Sequence, residues 1–203
     1  SPGDFGYRRF VLHYARLAQA AGGVDAFLIG SELRGLTTLR DETNAFPFVE
    51  ALCALAADAR TIVGPATKLT YGADWSEYFG HQPPGGDVLF HLDPLWAHPA
   101  IDAVGIDNYM PLADWRDEDW QGGNPDGFGS PHDPDGLRSQ IAGGEGFDWY
   151  YADAAARLAR ERTTISDGAY GKPWVYRYKD LLGWWSNQHF ERVGRAAAET
   201  PSA

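Results

Sequence analysis

The chain has 203 residues, of which 44% are hydrophobic and 22% charged, the proportions of a folded domain with a substantial core. A formal net charge of −11 opposes the phosphate attraction on which most nucleic-acid binders rely, and no apolar run approaches the roughly 20 residues that cross a bilayer. The single cysteine, Cys53, excludes an internal disulfide framework and falls in an apolar pattern as a small core residue.

From Tyr7 to Ala21 the apolar positions Phe10, Val11, Tyr14, Ala15, Leu17 and Ala18 recur at helical spacing, and Gly22-Gly23 supplies a stop. Val24 to Ile29 is a short apolar run closed by Gly30, the pattern of a parallel strand buried on both faces. Ala45 to Arg60 reads as a second amphipathic helix, with Asn44 as N-cap and Pro47 in the first turn. Thr67 to Tyr71 is the next expected strand, Asp87 to Trp96 a short helix broken at Pro94, and Ile101 to Ile106 a third buried strand. The segment 111–146 is dense in Asp, Gly, Pro and Trp without apolar periodicity, and is expected to be a long irregular loop. Phe147 to Arg162 reads as helix, Lys172 to Tyr176 as a strand, and Leu181 to Trp185 as an apolar turn or short helix. Residues 1–203 are taken as one domain, and the opening Ser1-Pro2-Gly3-Asp4 carries no basic-then-apolar leader and reads as the middle of something longer.

Strand alternating with helix is the signature of a parallel sheet with right-handed crossovers, and the chain is shorter than the roughly 250 residues of a complete (β/α)8 barrel. The fold expected is therefore a partial barrel of the α/β class. In such folds chemistry sits where strands end. The first strand delivers Ser31 and Glu32, the second Tyr71, Asp74 and Trp75, and the third Asp107, Asn108 and Tyr109. Cleavage of a glycosidic bond needs one carboxyl group to protonate the leaving oxygen and a second to attack or to activate water. Glu32 fits the first task, since partial burial at a strand end would raise its pKa; the alternative is a loop salt bridge to Arg34 or Arg40. Tyr109 would orient a catalytic carboxylate or cap the rim. Ser31, Tyr71, Asp74, Trp75, Asp107 and Asn108 are candidate sugar contacts; for Asp74 and Asp107 the competing role is turn-making, and for Trp75, Trp96 and Trp115 it is packing. Eight tryptophans, many beside Asp, Asn and Gly, suit sugar rings. The six histidines form no close pair on one helix and no thiolate cluster joins them, so neither metal nor other cofactor is expected; a metal-dependent barrel hydrolase is the weakest reading. Neither a phosphate-cradling glycine loop nor a Gly-x-Ser-x-Gly elbow is present.

The blocks Gly6-Tyr7-Arg8-Arg9-Phe10-Val11-Leu12-His13-Tyr14-Ala15 and Gly22-Gly23-Val24-Asp25-Ala26-Phe27-Leu28-Ile29-Gly30-Ser31-Glu32-Leu33-Arg34-Gly35-Leu36 closely resemble the glycoside-hydrolase-like barrel domain of the large tail-tip, host-specificity protein of gene transfer agents and related phages. The match continues through Asp102 to Tyr109 and through Gly171-Lys172-Pro173-Trp174. The resemblance implies a TIM barrel of retaining type in a bacterial, phage-like particle, acting on cell-envelope polysaccharide beside other tail-tip proteins. It makes the three strands the fourth to sixth of the barrel and Glu32 the acid/base, with the nucleophile on a seventh strand beyond Ala203. It also implies a chain cut at both ends, inactive alone and prone to associate through open sheet edges. Ser31 stands where that clan commonly has Asn, which leaves a non-catalytic glycan-binding or structural domain as the alternative.

Overall fold

Helix α1 (Tyr7–Ala20) forms on the expected recurrence, burying Val11, Leu12 and Ala15. Gly22 and Gly23 end it at φ of 105° and 93°, values that a residue with a Cβ rarely adopts, and the Gly23 N–H bonds the Ala18 carbonyl at 2.9 Å. The computed structural model that shows this describes residues 5–194 and 200–202. Strand β1 (Ala26–Ser31) lies two residues later than its apolar run, and a short helix α2 (Arg34–Thr37) follows it. Helix α3 (Pro47–Val63) buries Val49, Leu52, Leu55, Ala56, Ala59 and Val63; each large aliphatic side chain so removed from water contributes about 1.5–3 kcal/mol. Asn44 does not cap α3. It sits at φ 66° in a turn built by Asp41, whose carboxylate accepts from Thr43 and Ala45, while Phe46 takes the cap position without a side-chain bond.

Strand β2 (Lys68–Asp74) carries fully buried Leu69, Tyr71 and Ala73. Pro94 opens helix α4 (Asp93–Trp96) rather than breaking a longer one, since a first-turn proline forfeits no helical hydrogen bond. Strand β3 (Gly105–Asp107) takes only the last two residues of the expected 101–106 run and extends one residue beyond it. The cause is Asp102, whose carboxylate accepts the Leu69 N–H at 2.8 Å while its own N–H bonds the Leu69 carbonyl, so a side chain replaces the ladder there. That backbone bond, followed by Arg60 and Lys68, holds the Asp102 carboxyl down at about 2. Arg60 also donates to the carbonyls of Gly64, Thr67 and Ala100 at 2.8, 2.6 and 2.9 Å, tying together the starts of β2 and β3.

The sheet order is β1-β2-β3 and both pairings are parallel, as the alternating pattern requires. This is a three-stranded parallel sheet of the α/β class. Among the described residues no helix is long and apolar enough to cross a membrane.

The chain divides into two compact units, Ser1–Asn108 with His189–Ala203, and Tyr109–Gln188. The first includes the antiparallel pair β6 (Phe190–Glu191) and β7 (Thr200–Pro201). In the second, the expected loop 111–146 holds helices α5 (Asp119–Gly122) and α6 (Pro134–Ser139). The helix expected over Phe147–Arg162 is only α7 (Ala154–Ala159), capped by the Asp153 carboxylate; it is flanked by antiparallel β4 (Trp149–Tyr150) and β5 (Thr163–Thr164). The aromatic run 149–151 favours extended backbone, which explains the shift. Lys172–Tyr176 is likewise no strand: Pro173 opens a 3-10 turn over Pro173–Tyr176. Helix α8 (Leu181–Ser186) occurs where an apolar turn or short helix was expected.

Candidate functional site

At their carboxyl ends the strands bring Ser31, Gly72 and Gly105 into lateral register, with Asp74 beside Asp107. An irregularity between Leu28 and Ser31 gives β1 one residue more than β2 over the same span. Ser31 Oγ donates to Asp107 Oδ2 at 2.5 Å, reaching across the middle strand. Gly72 makes this reach possible, because a Cβ there would lie 3.0 Å from Asp107 Oδ2 and 3.3 Å from Ser31 Oγ.

Glu32 follows immediately. Its N–H bonds the Gly72 carbonyl at 2.8 Å, its φ is 54°, and its side chain is exposed rather than partly buried as expected. The left-handed turn takes the chain out of the ladder one residue past the strand end, which leaves the side chain facing solvent. The alternative salt bridge is also absent among the described residues: Arg34 donates to Ser76 Oγ at 2.8 Å, and Arg40 pairs with Asp87 at 3.0 Å.

Tyr71, expected to touch ligand, is fully buried. Its hydroxyl accepts the Leu33 N–H at 2.7 Å and lies 3.2 and 3.3 Å from the two Glu77 carboxyl oxygens. Burial, then the Glu77 charge, pushes the Tyr71 hydroxyl well above the ordinary phenol range. Glu77, 1% exposed, accepts from Thr37 Oγ1 and from the Asp74 N–H at 3.1 Å; burial raises its carboxyl despite these bonds. Asp74 accepts the Ser76 N–H at 2.7 Å and the Ser76 hydroxyl, so its carboxylate makes a turn, as its competing role foresaw. Trp75 is half-buried and Asn108 exposed. Tyr109 is 73% exposed and begins the second unit. Trp96 packs its ring 6.1 Å from that of Tyr71, and Trp115 meets Trp120 edge-on at 5.1 Å.

Sequence reasoning missed Thr37 and Glu77. A signal for Glu77 was present in Asp74-Trp75-Ser76-Glu77, the acid-x-x-Glu spacing in which the fourth side chain reaches back to the first backbone N–H. For Thr37 there is no local signal, since its partner lies 40 positions away.

The arrangement presents one exposed carboxylate without an ionic partner among the described residues, a serine–aspartate hydrogen bond beside it, and a buried polar support beneath. Among the described residues, no three or more His, Cys, Asp and Glu side chains are disposed to hold a metal ion. No curated protein matches the chain. The family model of the GTA TIM-barrel-like domain matches residues 5–203, nearly the whole length and with both the parallel sheet and its strand-end residues inside it, and the chain belongs to that family.

Proposed function

We propose that this chain is the glycoside-hydrolase-like domain of a tail-tip, host-specificity protein in a phage-like particle, and that Glu32 is the acid/base of a retaining cleavage of cell-envelope glycan. The observation that supports this most is the placement of Glu32 one residue beyond a parallel strand, in a backbone conformation costing a non-glycine residue on the order of 1 kcal/mol or more, with no ionic partner among the described residues. Ser31, Asp107 and Asn108 form the adjoining sugar contact, and the retaining reaction requires a second carboxylate about 5–5.5 Å from Glu32. In the full-length protein, Glu32→Gln is expected to lower turnover of purified envelope polysaccharide by at least about a hundredfold, with an unchanged circular-dichroism spectrum. Undiminished turnover sinks the assignment.

The exposure of Glu32 favours a second reading, a domain that grips glycan or serves the tail structurally, because burial is the usual means by which a general acid keeps its proton near neutrality. Saturable oligosaccharide binding without product release by the full-length protein decides for this second reading.

A further inference from the structure

Glycine and asparagine take φ near +55° readily, whereas a glutamate there is strained and persists only where its surroundings over-determine it. The peptide groups on both sides of the Glu32 Cα are fixed. On one side the Glu32 N–H is held by Gly72; on the other the Leu33 N–H ends on the hydroxyl of Tyr71. That hydroxyl is aimed by Glu77, which is anchored in turn by the Thr37 hydroxyl and the Asp74 N–H. Thr37, Tyr71 and Glu77 are all essentially inaccessible, so they act on ligand only through what they hold. The loop after β1 and the loop after β2 are thereby locked together under one residue.

We infer that Tyr71 and Glu77 are positioning residues, a buried hydroxyl–carboxyl support that fixes the left-handed turn presenting Glu32. This rests on the reading of Glu32 as the acid/base. Glu77 accepts three donors from two elements: Thr37 at the end of α2, and Tyr71 and Asp74, both on β2. Tyr71 passes that constraint to the single peptide following Glu32. Removing the hydroxyl frees this peptide while leaving the ring in the core.

The test is amide hydrogen exchange of the folded chain carrying Tyr71→Phe, read together with glycan turnover by the full-length protein carrying the same change. Exchange at Leu33 is expected to quicken about tenfold, the loss of one net hydrogen bond, while amides of α3 such as Leu55 keep their protection. In the full-length protein kcat falls, KM holds and the pH profile is displaced; a general loss of folded protein scales kcat without moving the profile. Unchanged exchange at Leu33 overturns the inference. Should Glu32→Gln abolish turnover while Tyr71→Phe leaves kcat and pH profile intact, the positioning role falls and the acid/base assignment stands. Should Glu32→Gln leave turnover intact, the acid/base assignment falls, and Leu33 exchange alone decides whether Tyr71 holds the turn. If Tyr71→Phe does not fold, Glu77→Gln, which keeps the shape but loosens the hydroxyl, is read in the same two measurements.

Discussion

The two units hold themselves together by different means. In the first, an interior of Val11, Leu12, Ile29, Leu52, Leu55 and Leu69 is closed by helices against a sheet, and order comes from apolar area removed from water. In the second, aromatic residues are buried beside a charged lattice. Arg160 forks onto Asp119 with both contacts at 2.6 Å; Arg162 spans Asp126 and Asp114 at 2.7 and 2.9 Å and lies 4.0 Å over the Trp149 ring. Tyr151 donates to Asp114 at 2.6 Å, and Arg116 holds the carbonyls of Arg157 and Leu158. The segment 111–146 is ordered by pairs that join it to residues 151–162, so its polarity serves its folding. A net-acidic, aperiodic stretch is therefore poor evidence of a free loop when arginines elsewhere match its carboxylates.

Core truncation measures the contrast first. Leu52→Ala is expected to cost about 3 kcal/mol of stability at any ionic strength, as a cavity beside α3. Arg162→Ala in the second unit is expected to cost about 2 kcal/mol, through a lost bidentate pair and a lost stack, with the cost shrinking between about 0.05 and about 0.5 M salt. Urea titrations at the two salt concentrations check both, and equal salt responses would break the contrast.

A smaller effect refines the account of the first unit, which is not purely apolar. His91, 2% exposed, packs 5.4 Å from the Phe46 ring and 5.9 Å from that of His81, and neither ring nitrogen has a partner among the described residues. Burial, then the neighbouring His81, lowers its pKa to about 3. An unfolded histidine titrates near 6.5, so the unfolded state takes up protons first, and stability present above about pH 6.5 drains away as pH falls toward 3. His91→Phe is expected to remove about 2 kcal/mol of the loss between about pH 7 and about pH 4.5, seen as a flatter melting temperature against pH. An identical pH dependence would mean that His91 is solvated. The smallest effect is that of Gly72→Ala, whose methyl parts Ser31 from Asp107 at a cost of about 1 kcal/mol and shifts the Ser31 hydroxyl proton resonance; an unmoved resonance shows the bond surviving.

Legibility followed the same division. Helices α1 and α3 were readable from their helical period and the three parallel strands from short apolar runs. The burial expected of the first and third strands is not met, since only Ile29 of β1 and no residue of β3 is buried; the carboxyl-end rule then led to Ser31, Glu32 and Asp107. What the period does not encode is substitution of side chain for backbone. Asp102 shortened β3, and Asp41 displaced the α3 cap from Asn44, each by a carboxylate taking main-chain bonds. Nor does it encode exposure beyond a turn, which is why Glu32 was expected to be partly buried. The helix expected over Phe147–Arg162 failed for a related reason: its aromatic residues pair across strands, and Arg160 and Arg162 serve ion pairs rather than a helical face.

The positive φ of Glu32 has a consequence for descent. Folding alone favours glycine or asparagine at that codon, so neutral drift among relatives would erode the glutamate sooner than its neighbours. On the acid/base reading, a lineage in which the carboxylate persists there keeps it against the preference of its own backbone. One in which glycine has replaced it would, on the same reading, lack the acid/base while keeping the strand beneath.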